Sequence, residues 1–117
     1  MSSSTLHQFL QQLSDEPTAI TFNQTMTLID SLFDFTPTAF KNGDQQNAAG
    51  QNNGSCKLFA FAQQQALSVE ATLACFGDFY RKDVLENPQG DDHQNIRNFI
   101  RHGWSGIEFT QHALSEK

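Results

Sequence analysis

The chain has 117 residues, enough for one domain with a single core that removes roughly two-thirds of the unfolded chain's surface from water. Its formal net charge is −6 and only seven residues are lysine or arginine, which argues against a nucleic-acid partner. The sequence has no apolar run of about 18 residues and no apolar segment after a basic start, so we expect no membrane association, no secretory signal and a cytoplasmic protein.

Phenylalanine is unusually abundant, with 11 copies. Each phenylalanine side chain buries about 150–250 Å² when it enters a core. We therefore predict a mainly α fold in which about five helices surround a Phe-rich core. The domain spans residues 1–117, with frayed ends at residues 1–4 and 113–117.

Two amphipathic helices open the chain, over residues 4–14 and 21–33. Apolar side chains recur there every three or four positions, which is the helical period. Thr21 and Gln24 have the spacing of a capping box, so the second helix is expected to begin at Thr21.

The helical pattern breaks between residues 34 and 54. Pro37 favours an extended backbone, and residues 35–40 are predicted to pair with residues 105–109 in a short two-stranded β ribbon. An amide-rich loop follows, and so long an irregular stretch in a small domain is usually functional or disordered. We predict that residues 42–55 are ordered and docked against helix ends.

Three further helices are predicted over residues 56–67, 69–85 and 93–102. Ser55 and Ser68 are the expected N-caps of the first two. Gly77 lies inside the second of these helices, where it costs about 1 kcal/mol relative to alanine. A close crossing by another backbone segment is the expected reason for a glycine there.

The stretch GQNNGSCK, residues 50–57, places a glycine-rich turn and Lys57 at a helix N-terminus, which is the geometry of an anion site. It does not have P-loop spacing, because three residues separate the two glycines and Lys57 does not follow the second one directly. In the alternative interpretation, Asn52, Asn53 and Ser55 hydrogen-bond within their own turn and cap.

Cys56 follows Gly-Ser at a predicted helix start, where the helix dipole would lower the pKa of a thiol. His93 or His102 would then act as the base of a cysteine- or histidine-dependent hydrolase or transferase. In the alternative interpretation, Cys56 and Cys75 are small core residues with reduced thiols.

Asp91, Asp92 and His93 form the most compact group of metal-ligating side chains in the sequence. Capping of the next helix explains both aspartates without an ion. We therefore expect no metal and no other cofactor.

Arg81 lies in the stretch GDFYRKDVL, and two interpretations of it are open. It is either part of a solvated helix face, or it turns inward and pairs with Asp78 or Asp34. In the second case Arg81 would hold the long loop in place.

Four blocks stand out in order along the chain: FTPTAFKNG, AGQNNGSCKLFAFAQ, ACFGDFYRKDVL and HQNIRNFIRHGW. Together they resemble the HopJ type III effector family, over roughly residues 6–110. The resemblance implies a secretion-linked origin, with export through a type III system, but it implies no reaction and no catalytic residue set.

These blocks are polar where a core would be apolar, so we expect the loop to fold over the ends of the fourth and fifth helices, with its asparagine amides bonded to backbone groups. A shallow polar pocket is expected there. The predicted ligand-binding residues are Asn42, Asn52, Asn53, Ser55, Lys57, Arg81 and His93.

The leading hypothesis is a small effector-like protein without enzymatic activity that binds an unknown protein or a small polar ligand. The alternatives are the hydrolase or transferase above and a structural subunit, which would expose a large apolar patch.

Overall fold

The computed structural model describes residues 2–117 and is mainly helical there, as the sequence predicted. The α-helices are α1 (Ser2–Asp15), α2 (Phe22–Leu32), α3 (Asn53–Gln64), α4 (Val69–Ala74) and α5 (Gln94–His102). Short 3-10 turns cover Pro17–Ala19 and Gly103–Gly106, and a π-helical turn covers Phe79–Val84. The strands are β1 (Phe33–Phe35), β2 (Phe40–Asn42), β3 (Gln45–Asn47), β4 (Ile107–Phe109) and β5 (Leu114–Glu116).

Two helices begin where their capping residues predicted. The Thr21 hydroxyl accepts the backbone N–H three residues later at 3.0 Å, and the Ser68 hydroxyl does the same at 3.1 Å. The first helix begins earlier than predicted, at Ser2. Met1 lies outside the described residues.

The start of α3 differs from the prediction that Ser55 is its N-cap. The N-cap is Asn52, in the left-handed conformation with φ of 52°, and the helix begins at Asn53. Ser55 lies within the first turn, because the glycine at position 54 is accommodated as a helical residue. The helix therefore presents Ser55 and its backbone N–H groups at its end.

The strands form two antiparallel sheets instead of one two-stranded ribbon. β1 pairs with β5, with Phe33 opposite Glu116, and the second sheet has the order β3-β2-β4. Phe40 lies opposite Phe109, so the predicted pairing holds at that point. The rest of the predicted ribbon is wrong. β2 is the central strand of a three-stranded sheet, and β1 pairs with β5 instead of β4.

Residues 113–117, for which we predicted fraying, include strand β5 and contact the domain. Leu114 in β5 is only 3% exposed, and its carbonyl oxygen accepts the side-chain amide of Gln64 in α3 at 3.1 Å. The backbone N–H of Lys117 donates to the carbonyl of Leu32 at 3.1 Å. Burial and hydrogen bonding therefore keep this terminus against the domain.

The predicted helix over residues 69–85 is interrupted at Gly77, where φ is +64°. A β-carbon at Gly77 would lie 2.7 Å from the backbone nitrogen of Phe22 and 3.1 Å from Cα of Thr21. The expected close backbone crossing is therefore confirmed, but it ends α4 instead of passing beside a continuous helix. The chain continues as the π-helical turn.

Aromatic rings occupy the centre of the core. The ring of Phe59 is fully buried and lies 4.9 Å from Phe99 and 5.5 Å from Phe76, between ring centroids. Phe76 in turn stacks on Phe22 at 6.2 Å, and Phe22 meets Phe79 edge to face at 5.1 Å. The predicted Phe-rich core is confirmed, and its rings continue from the interior to the surface.

Candidate functional site

The amide-rich segment 42–55 is docked against the start of α5 by a group of four side chains, which we call the asparagine network: Asn42, Asn47, Asn52 and Asn95. Nδ2 of Asn42 donates to the backbone oxygen of Asn95 at 2.7 Å and to its side-chain oxygen at 3.0 Å. Asn47 and Asn95 exchange two amide bonds, each of 3.1 Å. Asn52 donates to Oδ1 of Asn47 at 2.7 Å.

The network confirms the predicted docking but not the expected partners of the amides. We expected the amides to bond to backbone groups, whereas the asparagines bond mainly to one another. This is possible because the N–H donors and the carbonyl oxygen of one amide can pair with the oxygen and the N–H donors of a second. Asn42, Asn47 and Asn95 are 0%, 3% and 6% exposed, so each lost bond would leave a buried polar group unpaired. The network therefore fixes the position of the segment.

Oδ1 of Asn42 is the one exception within the described residues, because this buried oxygen has no hydrogen-bond partner there. Reversing the amide would not help, since it would turn Oδ1 toward the two oxygens of Asn95. A buried water is the ordinary partner for such an atom.

Beside the network lies a pocket of about 350 Å³, which we call the amide pocket. It lies between the segment 42–55, α5 and the aromatic rings that reach the surface. Its lining consists of Phe22, Gln45, Asn52, Gly54, Ser55, Phe76, Phe79, His93, Gln94, Asn95 and Ile96. The lining combines amide side chains with aromatic rings.

Two helices, α3 and α5, begin at this pocket. Their N-caps, Asn52 and His93, are both left-handed, with φ of 52° and 50°, and neither side chain caps its own helix. Backbone N–H groups in the first turn of a helix have no intrahelical acceptor. Such groups, from Gly54 and Ser55 in α3 and from Gln94 in α5, therefore belong to residues that line the pocket.

His93 is held in place from two sides. Its Nε2 lies 3.0 Å from Oδ2 of Asp83, and its ring lies 5.1 Å from the ring of Phe79. A left-handed conformation at a residue other than glycine costs free energy and persists where surrounding contacts fix it. The ring of His93 is therefore a fixed part of the pocket wall.

Arg97 fastens the turn before α5. Its guanidinium donates to the backbone oxygens of Asp92 at 2.6 Å and Asn87 at 2.9 Å, and to Oδ1 of Asp92 at 2.6 Å. The hydrogen bond from Arg97 lowers the pKa of the Asp92 carboxyl below its ordinary value, and the nearby His93 adds to this effect. This turn positions His93. Arg97 therefore stabilises the pocket wall indirectly, without lining the pocket.

The structure brings three of the seven predicted site residues to the pocket: Asn52, Ser55 and His93. Asn42 lies fully buried beneath it, in the asparagine network. Asn53 is exposed in the first turn of α3 but is not part of the lining.

Lys57 and Arg81 lie away from the pocket. Nζ of Lys57 pairs with Asp30 at 2.8 Å, so an anion site made by Lys57 and the loop is not formed. Arg81 does turn inward. It pairs with Asp78, one of its two predicted partners, at 3.7 Å, and it donates to the backbone oxygens of Pro17 at 3.2 Å and Ile20 at 2.6 Å. Arg81 therefore holds the 3-10 turn at Pro17–Ala19 in place. It does not hold the long loop, which was the prediction for an inward-facing Arg81.

Sequence reasoning missed Asn47, Asn95 and Arg97. In the sequence, Asn95 and Arg97 flank the apolar Ile96, and all three are buried. The available signal was the position of these polar residues next to an apolar helical stripe. It could have indicated a buried hydrogen-bond network, since a buried amide or guanidinium needs several partners.

The two thiols are buried, Cys56 at 1% and Cys75 at 0% exposure. Burial raises the pKa of the Cys56 thiol above its ordinary value, although its bond to the carbonyl of Thr38 opposes this. Burial also raises the pKa of Cys75 to about 12. A nucleophilic cysteine needs the opposite shift. The geometry therefore favours the interpretation of both cysteines as core residues.

We expect iodoacetamide at pH 8 to modify both thiols at least about 100-fold more slowly in the folded protein than in urea, because alkylation requires an exposed thiolate. Mass spectrometry of Cys56 and Cys75 after timed quenching measures both rates. Rapid alkylation of Cys56 alone in the folded protein would contradict the burial of this thiol. It would instead support the hypothesis that the protein is a cysteine-dependent enzyme.

Among the described residues, no group of three or more histidine, cysteine, aspartate or glutamate side chains is arranged to hold a metal ion. Within residues 2–117, no helix has both the length and the apolar character that crossing a bilayer requires.

A family model described as HopJ type III effector protein matches residues 6–114. The chain belongs to the HopJ type III effector family. This HopJ family member is also similar to the crystal structure of the "unknown function protein VPA0580", with 57% sequence identity and a TM-score of 0.95. The match covers 96% of this chain and 93% of the other. A search of the curated proteins found no match.

Proposed function

We propose that this HopJ family member is a non-enzymatic binding protein whose amide pocket takes a small polar ligand. The observation that carries the proposal is the unused hydrogen-bonding capacity of the lining. The side chains of Gln45 and Ser55 have no hydrogen-bond partner within the described residues, and both line the pocket. Ligand sites are mostly apolar concave surfaces with a few such polar groups.

The rigidity of the pocket supports the same proposal. Asn52 and Asn95 belong to the asparagine network and also line the pocket, so one wall is fixed before any ligand arrives. A ligand that meets a preformed wall loses less free energy to the ordering of side chains.

Binding is a better supported function than catalysis. The thiol of Cys56 is buried and its pKa is raised, and the lining residues include no carboxylate. His93 lines the pocket, but its Nε2 is already engaged with Asp83. The family description as type III effectors supports the further proposal that the chain is secreted.

The test is a thermal-shift screen with monosaccharides, amino acids, short carboxylates and nucleosides. A compound that binds only the folded state raises the melting temperature by mass action. The double variant Gln45→Ala/Ser55→Ala removes two proposed ligand contacts and no hydrogen bond within the described protein. The matched control is Gln46→Ala/Ser14→Ala, at two exposed positions.

We expect at least one compound to stabilise the wild type and the control, and to bind the pocket variant about tenfold more weakly, since each hydrogen bond contributes about 0.5–1.5 kcal/mol. A screen without any stabilising compound would contradict the proposal. So would binding that the pocket variant retains in full.

A further inference from the structure

The aromatic wall of the amide pocket offers a stacking surface. Phe79 is 40% exposed although its side chain is large and apolar, and it lies at the pocket. Its orientation is fixed by Phe22, at 5.1 Å edge to face, and by the ring of His93, at 5.1 Å and 37°. Exposed rings held in this way suit the flat face of a ligand.

The same lining also carries amides with free donors and acceptors. The side-chain amide of Gln45 uses neither its nitrogen nor its oxygen in a hydrogen bond with the described chain. Oδ1 of Asn52 and Oε1 of Gln94 also accept no hydrogen bond from it. A carboxamide presents one donor and one acceptor in one plane. It therefore matches a ligand edge that carries an acceptor beside a donor, as asparagine and glutamine do with adenine.

The charges around the pocket argue for a neutral ligand. No lysine, arginine, aspartate or glutamate is among the lining residues. Lys57 and Arg97 lie outside the lining and are already paired, Lys57 with Asp30 at 2.8 Å and Arg97 with Asp92 at 2.6 Å. A phosphate would meet N–H dipoles but no lysine or arginine side chain, and a buried charge without a partner costs several kcal/mol.

We propose that the ligand of the amide pocket is a neutral nucleobase or nucleoside. This inference rests on the proposed binding function and names its ligand class. The base stacks on Phe79 while its polar edge meets the amides of Gln45 and Gln94. A volume of about 350 Å³ is at the small end of ligand sites, as expected for a single base with its sugar.

The experiment is isothermal titration of the full-length protein with adenosine, guanosine, cytidine and uridine, and with glucose and adenosine monophosphate for comparison. We expect saturable binding of at least one nucleoside, and weaker binding of the monophosphate than of adenosine. Phe79→Leu keeps apolar volume but loses the stacking ring, so it should weaken nucleoside binding about tenfold or more. Phe79→Tyr keeps the ring and should bind like the wild type.

The outcomes separate the two proposals. If glucose or another compound from the thermal-shift screen binds through Gln45 and Ser55 while no nucleoside does, the ligand class is wrong and the binding function survives. Nucleoside binding that Phe79→Leu leaves unchanged overturns the placement of the base on Phe79. If no compound of either panel binds, both proposals are wrong.

Discussion

Replacement of Gly77 by alanine is expected to lower the free energy of unfolding by about 3 kcal/mol. The left-handed backbone, with φ of +64°, costs about 1–2 kcal/mol for any residue with a β-carbon. The new methyl group would also lie 2.7 Å from the backbone nitrogen of Phe22, and such overpacking costs about 1–3 kcal/mol. Urea denaturation of the variant and the wild type measures the difference.

The control for this prediction is Gly50→Ala. Gly50 also has a positive φ, of +91°, but a β-carbon there would have no neighbouring atom within 4 Å. It should therefore show the backbone cost alone, about 1–2 kcal/mol. Equal losses in both variants would mean that the crossing at Gly77 is not close.

The crossing matters for the site because it places the aromatic wall. Gly77 lies between Phe76 and Phe79, and the backbone that it contacts belongs to Phe22. All three rings line the amide pocket. A displacement of this crossing would therefore move the stacking surface as well as reduce stability.

Replacement of Asn95 by alanine is expected to cost about 3 kcal/mol. It removes the side-chain acceptor of Asn42 and both side-chain bonds to Asn47, and these residues are 0% and 3% exposed. Each buried polar group left without a partner costs about 1–3 kcal/mol. Urea denaturation again gives the value.

The control for Asn95 is Asn53→Ala, at an exposed position in the first turn of α3. A surface substitution of this kind usually changes stability by less than about 0.5 kcal/mol. If Asn95→Ala costs no more than the control, the asparagine network does not stabilise the docked segment.

The parts of the fold that sequence predicted well are those with a local cause. Thr21 and Ser68 cap their helices through a residue three positions away, and Gly77 revealed a close approach by its position alone. The phenylalanines indicated an aromatic core because no other use of so many rings is common. Each of these signals lies within a few residues of its effect.

The rest depends on contacts that are distant in sequence. The five strands have three residues each, too few to show an alternating pattern. Asn42 and Asn95 are 53 residues apart, so their hydrogen bond left no sign in the local sequence. Lys57 was misplaced for a similar reason, since its partner Asp30 lies on α2.

The structure brings part of the predicted set of site residues together. The amide-rich segment does lie at the start of the fifth helix, and Asn52, Ser55 and His93 meet at one pocket. The aromatic wall was not predicted as part of the site. A phenylalanine that lines a pocket and one that fills a core have the same helical spacing, so sequence alone does not separate them.

Residues 42–55 are docked on α5 and shape the pocket, and the proposed binding depends on this docking. Amide hydrogen exchange followed by NMR tests it most directly, at the backbone N–H of Gly43, which donates to Gly106 at 2.9 Å, and at the buried side-chain amide of Asn42. We predict that both are protected and exchange together with the backbone of Arg97 in α5. Exchange at both sites at the rate of an unfolded chain, while α5 stays protected, would contradict the docked segment and the pocket built on it.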